Sequence, residues 1–325
     1  MSLVEARRVT TAGIARAAQG ISPVFLNTPV VRHDDINSWL GATVSCKVES
    51  LGPLRSFKGR GGDWFMRQRT TKGPVCAASA GNFGQALAWA ARAAGEACTM
   101  FASLNASPLK LARMRALGAT VIQTGDDFDA AKDAAREHAR QHSLEFVEDG
   151  DALAITEGAG SIAVELANAV TLDTLLVPLG NGALLAGVAT WMKAVSPSTR
   201  IIGVVAEGAP SMMRALTGIQ VDLTTPVNTI ADGIAVRVPV KDAVDDLRAL
   251  FDDLVAVRED AIVAAMRGLI SHAGLIVEPA GAVGIAAVLT APHGSFGERV
   301  GTILCGGNVT SDQLRQWGVL RASVG

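Results

Sequence analysis

The sequence predicts an α/β fold with two lobes, each built on an open, mainly parallel sheet flanked by helices. The chain has 325 residues, which is more than a single hydrophobic core usually serves. Its composition, 49% apolar and 18% charged with 34 glycines, is typical of a well-buried α/β protein. Short apolar runs alternate with helical patterns along most of the chain, and this alternation indicates strand–helix units.

The first series of these units begins near residue 74. The runs PVCAASA, ACTMFAS and TVIQTG are each followed by a helical stretch. They lack a strict alternation of apolar and polar residues, so we expect strands buried on both faces of a parallel sheet.

After LEFVEDG the pattern resumes with TLLVPL, RIIGVVAE, LVAVR and RVGTILCGG, which predicts a second, larger sheet. The lobe boundary is expected near residues 146 to 150. We therefore predict a small domain over residues 66–147 and a large domain over residues 1–65 plus 148–325.

Charge and cysteine content exclude several classes of protein. A net charge of -2 argues against nucleic acid or an acidic membrane as the main partner. Cys46, Cys76, Cys98 and Cys305 form no C-x-x-C pair, so we interpret them as reduced thiols and not as a disulfide framework or a zinc site. No apolar run approaches the roughly 18 residues of a membrane helix, and we expect a soluble, cytoplasmic protein.

Lys58 is the first candidate for chemistry. The stretch PLRSFKGRGG places it between Phe57 and a run of small residues. A lysine amine that is partly desolvated by an aromatic ring is a good nucleophile toward an aldehyde. Most lysines are surface charges, so that alternative stays open here.

The stretch AASAGNFGQAL contains a second candidate site, because Ser79 to Asn82 lie between a predicted strand and the start of a helix. Free N–H groups and the positive end of the helix dipole would bind a carboxylate there. The alternative is a simple capped helix, with Ser79 or Asn82 as the N-cap.

A third candidate is the turn Gly180-Asn181-Gly182 in TLLVPLGNGALLAG, which has the strand–turn–helix order of a phosphate-binding loop. The same turn partly matches a dinucleotide-binding motif, and the next predicted strand ends in Glu207, where such folds place a ribose-binding acid. A nicotinamide enzyme is therefore an open alternative.

Two further residues could contact a ligand. Cys305 ends an apolar strand and precedes Gly306-Gly307, which would let a flat ring approach the backbone. Glu278 precedes Pro279 at a predicted helix start and could face a pocket. A buried structural thiol and an ordinary helix start are the respective alternatives.

Taken together, these motifs resemble the fold type II pyridoxal phosphate (PLP) enzymes, which have a tryptophan synthase β-like fold. Within them, the chain resembles the serine/threonine dehydratase family, which also contains serine racemase. The motifs that carry the resemblance occur in family order: NTPVVRHDDIN, KVESLGPLRSFKGRGG, ASAGNFGQAL, GAGSIAVEL, VPLGNGALLAG, AEGAPSM, TIADGIAV, EPAGAVGIAAVL and CGGNV.

The resemblance implies a role for each candidate residue. Lys58 would be the Schiff-base lysine, Phe57 its neighbour at the ring, and Asn82 the partner of the phenolic oxygen of the cofactor. Cys305 would meet the pyridine nitrogen, and Glu278 would line the pocket. The substrate carboxylate would be held by Ser79, Ala80, Gly81 and Asn82, and the phosphate by Gly180, Asn181, Gly182, Ala183 and Leu184.

The activity implied is that of a PLP-dependent threonine/serine ammonia-lyase, which converts L-threonine or L-serine to 2-oxobutyrate or pyruvate plus ammonia. A homodimer that takes a small amino acid, without a carboxy-terminal regulatory domain, is expected. The alternatives are a hydroxyaspartate dehydratase, a diaminopropionate lyase, a threonine synthase-like enzyme, or a non-catalytic protein that binds PLP or a metabolite.

Several positions depart from the family pattern. Asn181 and Ala183 interrupt a loop that usually has four glycines, Phe83 replaces a common histidine, and Ala159 replaces a common glutamine. These departures affect the expected loop geometry and substrate preference.

Two other departures concern racemisation and metal binding. Ala80 stands where the racemase has a second catalytic serine, so we expect weak racemisation. Val205 lies near the position of a cation-binding glutamate in some relatives, and we expect no bound metal there.

Overall fold

A computed structural model describes residues 8–224 and 226–320. Its strands are β1 (Val30–Val31), β2 (Thr43–Val48), β3 (Val75–Ala78), β4 (Cys98–Ala102), β5 (Thr120–Gln123), β6 (Glu145–Phe146), β7 (Thr174–Pro178), β8 (Arg200–Ala206), β9 (Asp253–Val257) and β10 (Arg299–Leu304). Its α-helices are α1 (Thr11–Gly20), α2 (Asp34–Leu40), α3 (Lys58–Gln68), α4 (Asn82–Ala94), α5 (Pro108–Ala116), α6 (Phe128–Gln141), α7 (Leu153–Ala169), α8 (Ala183–Val195), α9 (Ser211–Leu216), α10 (Lys241–Leu247), α11 (Glu259–Ala273), α12 (Pro279–Thr290) and α13 (Ser311–Gln316).

These strands form two sheets. The six-stranded sheet has the order β1-β2-β10-β7-β8-β9, in which β1 is antiparallel to β2 and the other pairs are parallel. The four-stranded sheet has the order β5-β4-β3-β6 and is parallel throughout. The predicted α/β fold with mainly parallel sheets is confirmed. The smaller sheet comes from residues 75–146, while the proposed domain boundaries stay a prediction.

The apolar runs found in the sequence correspond to β3, β4, β5 and β7 to β10, whereas β2 is not predicted by such a run. This strand lies between β1 and β10, and Ser45 and Lys47 interrupt its apolar pattern. The Lys47 side chain is nevertheless buried, and its ammonium donates a hydrogen bond to Glu165 Oε2 at 2.5 Å. A buried strand can therefore contain a lysine where a carboxylate is available to pair with it.

Small residues allow the helices to pack closely on the larger sheet. Alanine, glycine and valine make up two thirds of helix α12, and most of its residues are buried. A Cβ atom at Gly284 would lie 1.9 Å from Thr302 Oγ1, so glycine is required where α12 meets β10. This packing places the first turn of α12 beside the end of β10, where Cys305 follows.

A buried ionic network stabilises the start of α3. The Arg60 guanidinium donates to both oxygens of Glu49, at 2.8 and 2.9 Å, and to both oxygens of Glu165, at 2.7 and 2.9 Å. Both acids also contact other buried polar groups, so the charges are fully paired. The network lies two residues beyond Lys58 and fixes the backbone from which that lysine projects.

No helix in the described ranges is long and apolar enough to cross a membrane.

Candidate active site

A cavity of about 720 Å³ is lined by every residue to which the resemblance assigns a contact with cofactor or substrate. The lining includes Phe57, Lys58, Ser79, Ala80, Gly81, Asn82, Gly180, Asn181, Gly182, Ala183, Leu184, Glu278 and Cys305. These residues lie in turns and helix starts that follow strands of both sheets, in segments more than 200 positions apart. The roles assigned to them individually stay predictions.

Lys58 is the first residue of α3 and projects into this cavity. The N–H of the preceding Phe57 donates to the Cys305 carbonyl at 3.0 Å, which joins the start of α3 to the end of β10. The Lys58 amine lies 4.7 Å from the centre of the Phe57 ring and donates to Asp149 Oδ2 at 2.5 Å. Its side chain is only 13% exposed, so Lys58 is not an ordinary surface charge.

The amino end of α4 has features of both structures expected from the sequence, a capped helix and a helix start that could bind a carboxylate. The N-cap position is Gly81, but Ser79 Oγ accepts the N–H groups of Gly81 and Gly84, both at 3.1 Å, and so satisfies one donor of the first turn. Within the described ranges, the N–H groups of Asn82 and Phe83 have no acceptor in the chain. The helix is 13 residues long, and these free donors at its positive end could hold a carboxylate.

Hydrogen bonds fix the side chain of Asn82 on both sides. Its Nδ2 donates to Glu278 Oε1 at 2.8 Å, and its Oδ1 accepts from Asn308 Nδ2 at 2.8 Å. The Asn308 backbone N–H donates to the other Glu278 oxygen at 3.0 Å. An amide nitrogen carries two hydrogens, so Asn82 keeps one donor for a ligand.

Glu278 is buried, and burial raises its pKa from 4.5 to about 7 although the Asn82 hydrogen bond acts in the opposite direction. Near neutral pH its carboxyl group therefore exchanges between charged and neutral forms.

The turn after β7 forms a set of unpaired backbone donors. Gly182 has a φ of +99°, which a residue with a side chain rarely adopts, and it directly precedes α8. In the described part of the chain, the N–H groups of residues 181–184 have no acceptor. Such donors at the start of a 13-residue helix fit a phosphate group, even though Asn181 and Ala183 replace glycines.

Cys305 lies directly after β10 and is 4% exposed. Burial raises the pKa of its thiol, and the nearby Glu278 carboxylate raises it further. The thiol is therefore neutral at physiological pH. It can offer a ring nitrogen only a weak donor, without a charge.

Other positions singled out from the sequence lie differently with respect to the cavity. Phe83 lines it, whereas Ala159 in α7 and Val205 in β8 are buried in the core of the larger sheet. Glu207 follows β8 and is not among the lining residues. No group of three or more His, Cys, Asp or Glu side chains that could hold a metal occurs within the described ranges.

Comparison with known proteins decides the family. The model of the pyridoxal-phosphate dependent enzymes matches residues 21–306. This chain belongs to that family. The unpaired N–H groups of residues 181–184, the amine of Lys58 and the neutral thiol of Cys305 fit PLP. Family membership decides against the nicotinamide alternative.

Two curated relatives of this PLP enzyme are L-threonine ammonia-lyases. The one from Thermotoga maritima is 32% identical over 94% of this chain and 77% of its own length. The one from Geobacter sulfurreducens is 35% identical over 87% of this chain and 71% of its own length.

Solved structures agree with these relatives. The processed form of threonine deaminase isoform 2 from Solanum lycopersicum has a TM-score of 0.86 at 29% identity and covers 96% of this chain and 94% of its own. Maize serine racemase has a TM-score of 0.87 at 28% identity and covers 95% of this chain and 96% of its own. The chain is thus a PLP-dependent lyase of fold type II.

Sequence reasoning missed two residues of the site. Asn308 belongs to the motif CGGNV but was given no role, and the structure shows that it orients Asn82. Asp149 is not among the predicted site residues, although it contacts Lys58. The sequence does contain an indication of this site. The acidic residues of VEDGD directly follow the carboxyl end of a strand, and ligands of parallel sheets usually bind beyond the carboxyl ends of the strands.

Proposed function

We propose that this protein is a threonine/serine ammonia-lyase, which converts L-threonine or L-serine to 2-oxobutyrate or pyruvate plus ammonia. The observation that carries the proposal is that one cavity contains a largely shielded lysine amine and two helix starts with unpaired N–H groups. These features meet the needs of a cofactor phosphate, a substrate carboxylate and a base. The names of the curated relatives support the same activity.

Several residues would hold the cofactor. Lys58 would carry it covalently, the N–H groups of residues 181–184 would bind its phosphate, and the second hydrogen of the Asn82 amide would reach its phenolic oxygen. Cys305 would lie at the ring nitrogen as a neutral thiol. When bound, PLP supplies the electron sink for the electrons left on Cα after proton removal.

The chain's own groups then perform the remaining steps. The free N–H groups at the start of α4 hold the substrate carboxylate and so orient the Cα–H bond. Lys58 Nζ takes the Cα proton as a general base. The Cα–Cβ double bond forms as the Cβ–O bond breaks, and the β-hydroxyl takes up one proton and leaves as water. Hydrolysis of the product with one water releases ammonia and the 2-oxo acid.

Other expectations belong to this proposal. Ala80 has no hydroxyl group to move a proton on the opposite face of Cα, so racemisation of serine should be weak. A small amino-acid substrate, a homodimer, a cytoplasmic location and the absence of a metal at Val205 also stay predictions.

The test is 2-oxo acid release from L-threonine and L-serine by the PLP-loaded protein and by Lys58→Ala. Lys193→Ala is the control, because that lysine pairs with Asp252 and does not line the cavity. Borohydride should fix the cofactor to the peptide that contains Lys58. Full turnover by Lys58→Ala, or no 2-oxo acid from either substrate with wild type, would refute the proposal.

A further inference from the structure

Three aspartates meet at one arginine outside the cavity. The Nε and Nη2 groups of Arg8 donate to the two oxygens of Asp246 at 3.1 and 2.8 Å, and Nη1 donates to Asp242 Oδ2 at 2.6 Å. Nη2 also donates to the Asp151 carbonyl at 3.2 Å, and Nη1 lies 3.5 Å from Asp151 Oδ1. A guanidinium presents its donors in a rigid plane, so these contacts fix the three acids relative to one another. We call these four residues the Arg8 clamp.

One side of the Arg8 clamp belongs to the segment that follows β6. Asp151 comes directly after Gly150, which has a φ of +95°. A Cβ atom at Gly150 would lie 2.7 Å from the Asn181 carbonyl oxygen. This segment therefore packs directly on the turn of residues 180–182, whose N–H groups would bind the cofactor phosphate.

Helix α10 carries the other two acids of the Arg8 clamp and contacts the same turn. A Cβ atom at Gly182 would lie 3.1 Å from the side chains of both Ala243 and Leu247. The helix has only seven residues and also packs against α8, which begins at the turn. The Arg8 clamp thus joins two segments, far apart in the sequence, that both touch the turn.

The backbone of Arg8 is itself held in place. The next residue, Val9, is buried, and Thr10 Oγ1 accepts the Gly13 N–H at 3.0 Å as the N-cap of α1. Helix α1 packs against α7 and α8. The arginine is therefore anchored to the large-sheet side of the cavity and can restrain the segments that it binds.

Charge makes the Arg8 clamp necessary. The Asp246 side chain is only 6% exposed, and Arg8 is its only hydrogen-bonding partner among the residues that the structure describes. Partial burial and the Asp242 carboxylate raise the pKa of Asp151, which shows that these two acids lie close together. Without the arginine, the acids would repel one another and Asp246 would be buried without a counter-ion. Movement of α10 toward water would relieve both costs and loosen its contact with the turn.

We propose that Arg8 is a positioning residue for the cofactor phosphate, because it holds the segment after β6 and helix α10 against the turn of residues 180–182. The inference goes beyond the proposed lyase activity but rests on the assignment of this turn to the phosphate. The groups proposed to meet the cofactor ring, Lys58 and Cys305, lie at α3 and after β10. Loss of Arg8 should therefore weaken the binding of phosphate and leave the binding of the ring unchanged.

The test measures the Kd of the full chain, after removal of PLP by dialysis, for PLP, inorganic phosphate and pyridoxal. Pyridoxal has the ring and aldehyde of PLP but no phosphate, so its binding also shows that the cavity is still formed. The variants are Arg8→Met, Asp246→Asn and the two combined. Arg16→Met is the matched control, because Arg16 lies in α1, is exposed and forms no ion pair among the described residues. Gly182→Ala tests the turn itself.

Arg8→Met should raise the Kd for PLP and for inorganic phosphate at least about tenfold and leave the Kd for pyridoxal within about twofold of wild type. Asp246→Asn should cause a smaller loss with the same selectivity. The double variant should bind PLP about as weakly as Arg8→Met alone, because the two residues act as one pair. Arg16→Met should bind all three ligands as wild type does.

Wild-type Kd values for PLP and phosphate in Arg8→Met, an equal loss for pyridoxal, or additive losses in the double variant would overturn the inference. Gly182→Ala separates this failure from that of the proposed phosphate site. If Gly182→Ala binds PLP and phosphate more weakly while Arg8→Met does not, the assignment of the turn stands and the role of Arg8 is wrong. If Gly182→Ala keeps wild-type affinity for both, the assignment of the turn fails and the inference fails with it.

Discussion

Replacing Glu278 by glutamine should change how the stability of the cofactor-free protein depends on pH. Burial raises the pKa of Glu278 from 4.5 to about 7, so the folded protein binds a proton in this range that the unfolded chain has released. The stability that this proton contributes is fully present below about pH 4.5 and is lost as the pH rises through about 7. The shift corresponds to roughly 3 kcal/mol of folding free energy, and wild type should lose that amount across the range.

Because glutamine carries no charge, the variant does not lose folding free energy as the pH rises. The variant also has a loss that is independent of pH, because its NH2 group must face Asn82 or Asn308, both of which donate to Glu278 in wild type. The informative quantity is therefore the difference in unfolding free energy between Glu278→Gln and wild type, followed as a function of pH. We expect it to shift in favour of the variant by roughly 3 kcal/mol between about pH 4.5 and pH 8.

Urea unfolding of both proteins without PLP, at several pH values, measures this difference. A difference that stays constant from acidic to alkaline pH would mean that Glu278 does not titrate in the folded state. The interpretation of its pKa as a consequence of burial would then be wrong.

Two further substitutions test the frame around the site. Gly182→Ala places a side chain at a φ of +99°, with its Cβ 3.1 Å from Ala243 Cβ. Thermal unfolding should show a loss of about 1 kcal/mol or more in folding stability, and PLP should bind more weakly. An affinity for PLP equal to that of wild type would contradict the assignment of this turn to the phosphate. Arg60→Met leaves Glu49 and Glu165 without their main counter-ion. The free energy of unfolding, measured in urea, should fall by about 3–5 kcal/mol. A fall of less than about 1 kcal/mol would show that the network contributes little to stability.

The parts of the fold that could be predicted are those with an uninterrupted local pattern. Strands such as β7 and β8 are buried on both faces of a parallel sheet, so their sequences are continuous apolar runs. Strand β2 is equally buried but contains Lys47, whose partner Glu165 is 118 positions away. No local pattern predicts such a pair, because only the tertiary fold brings the two charges together.

The same distinction applies to the site. The residues at helix starts and in the Gly-rich turn could be singled out because a short local pattern marks each segment, and all of them line one cavity. Their individual roles stay predictions. The side chains that orient these residues could not be predicted from a local pattern, because they are distant in the sequence. Asn308 contacts Asn82 across 226 positions, and Asp149 contacts Lys58 across 91 positions.

The residues that surround the reactive amine act on a substrate through different physical interactions. Phe83 and Ala80 change the shape of the cavity wall and the groups available at Cα, whereas Asp149 changes the charge that a substrate meets beside the reactive amine. Apolar contacts discriminate modestly between substrates of similar size, while an unpaired buried charge discriminates strongly. A substitution that removes the charge of Asp149, the ion-pair partner of Lys58, should therefore alter turnover more than a conservative apolar substitution of Phe83.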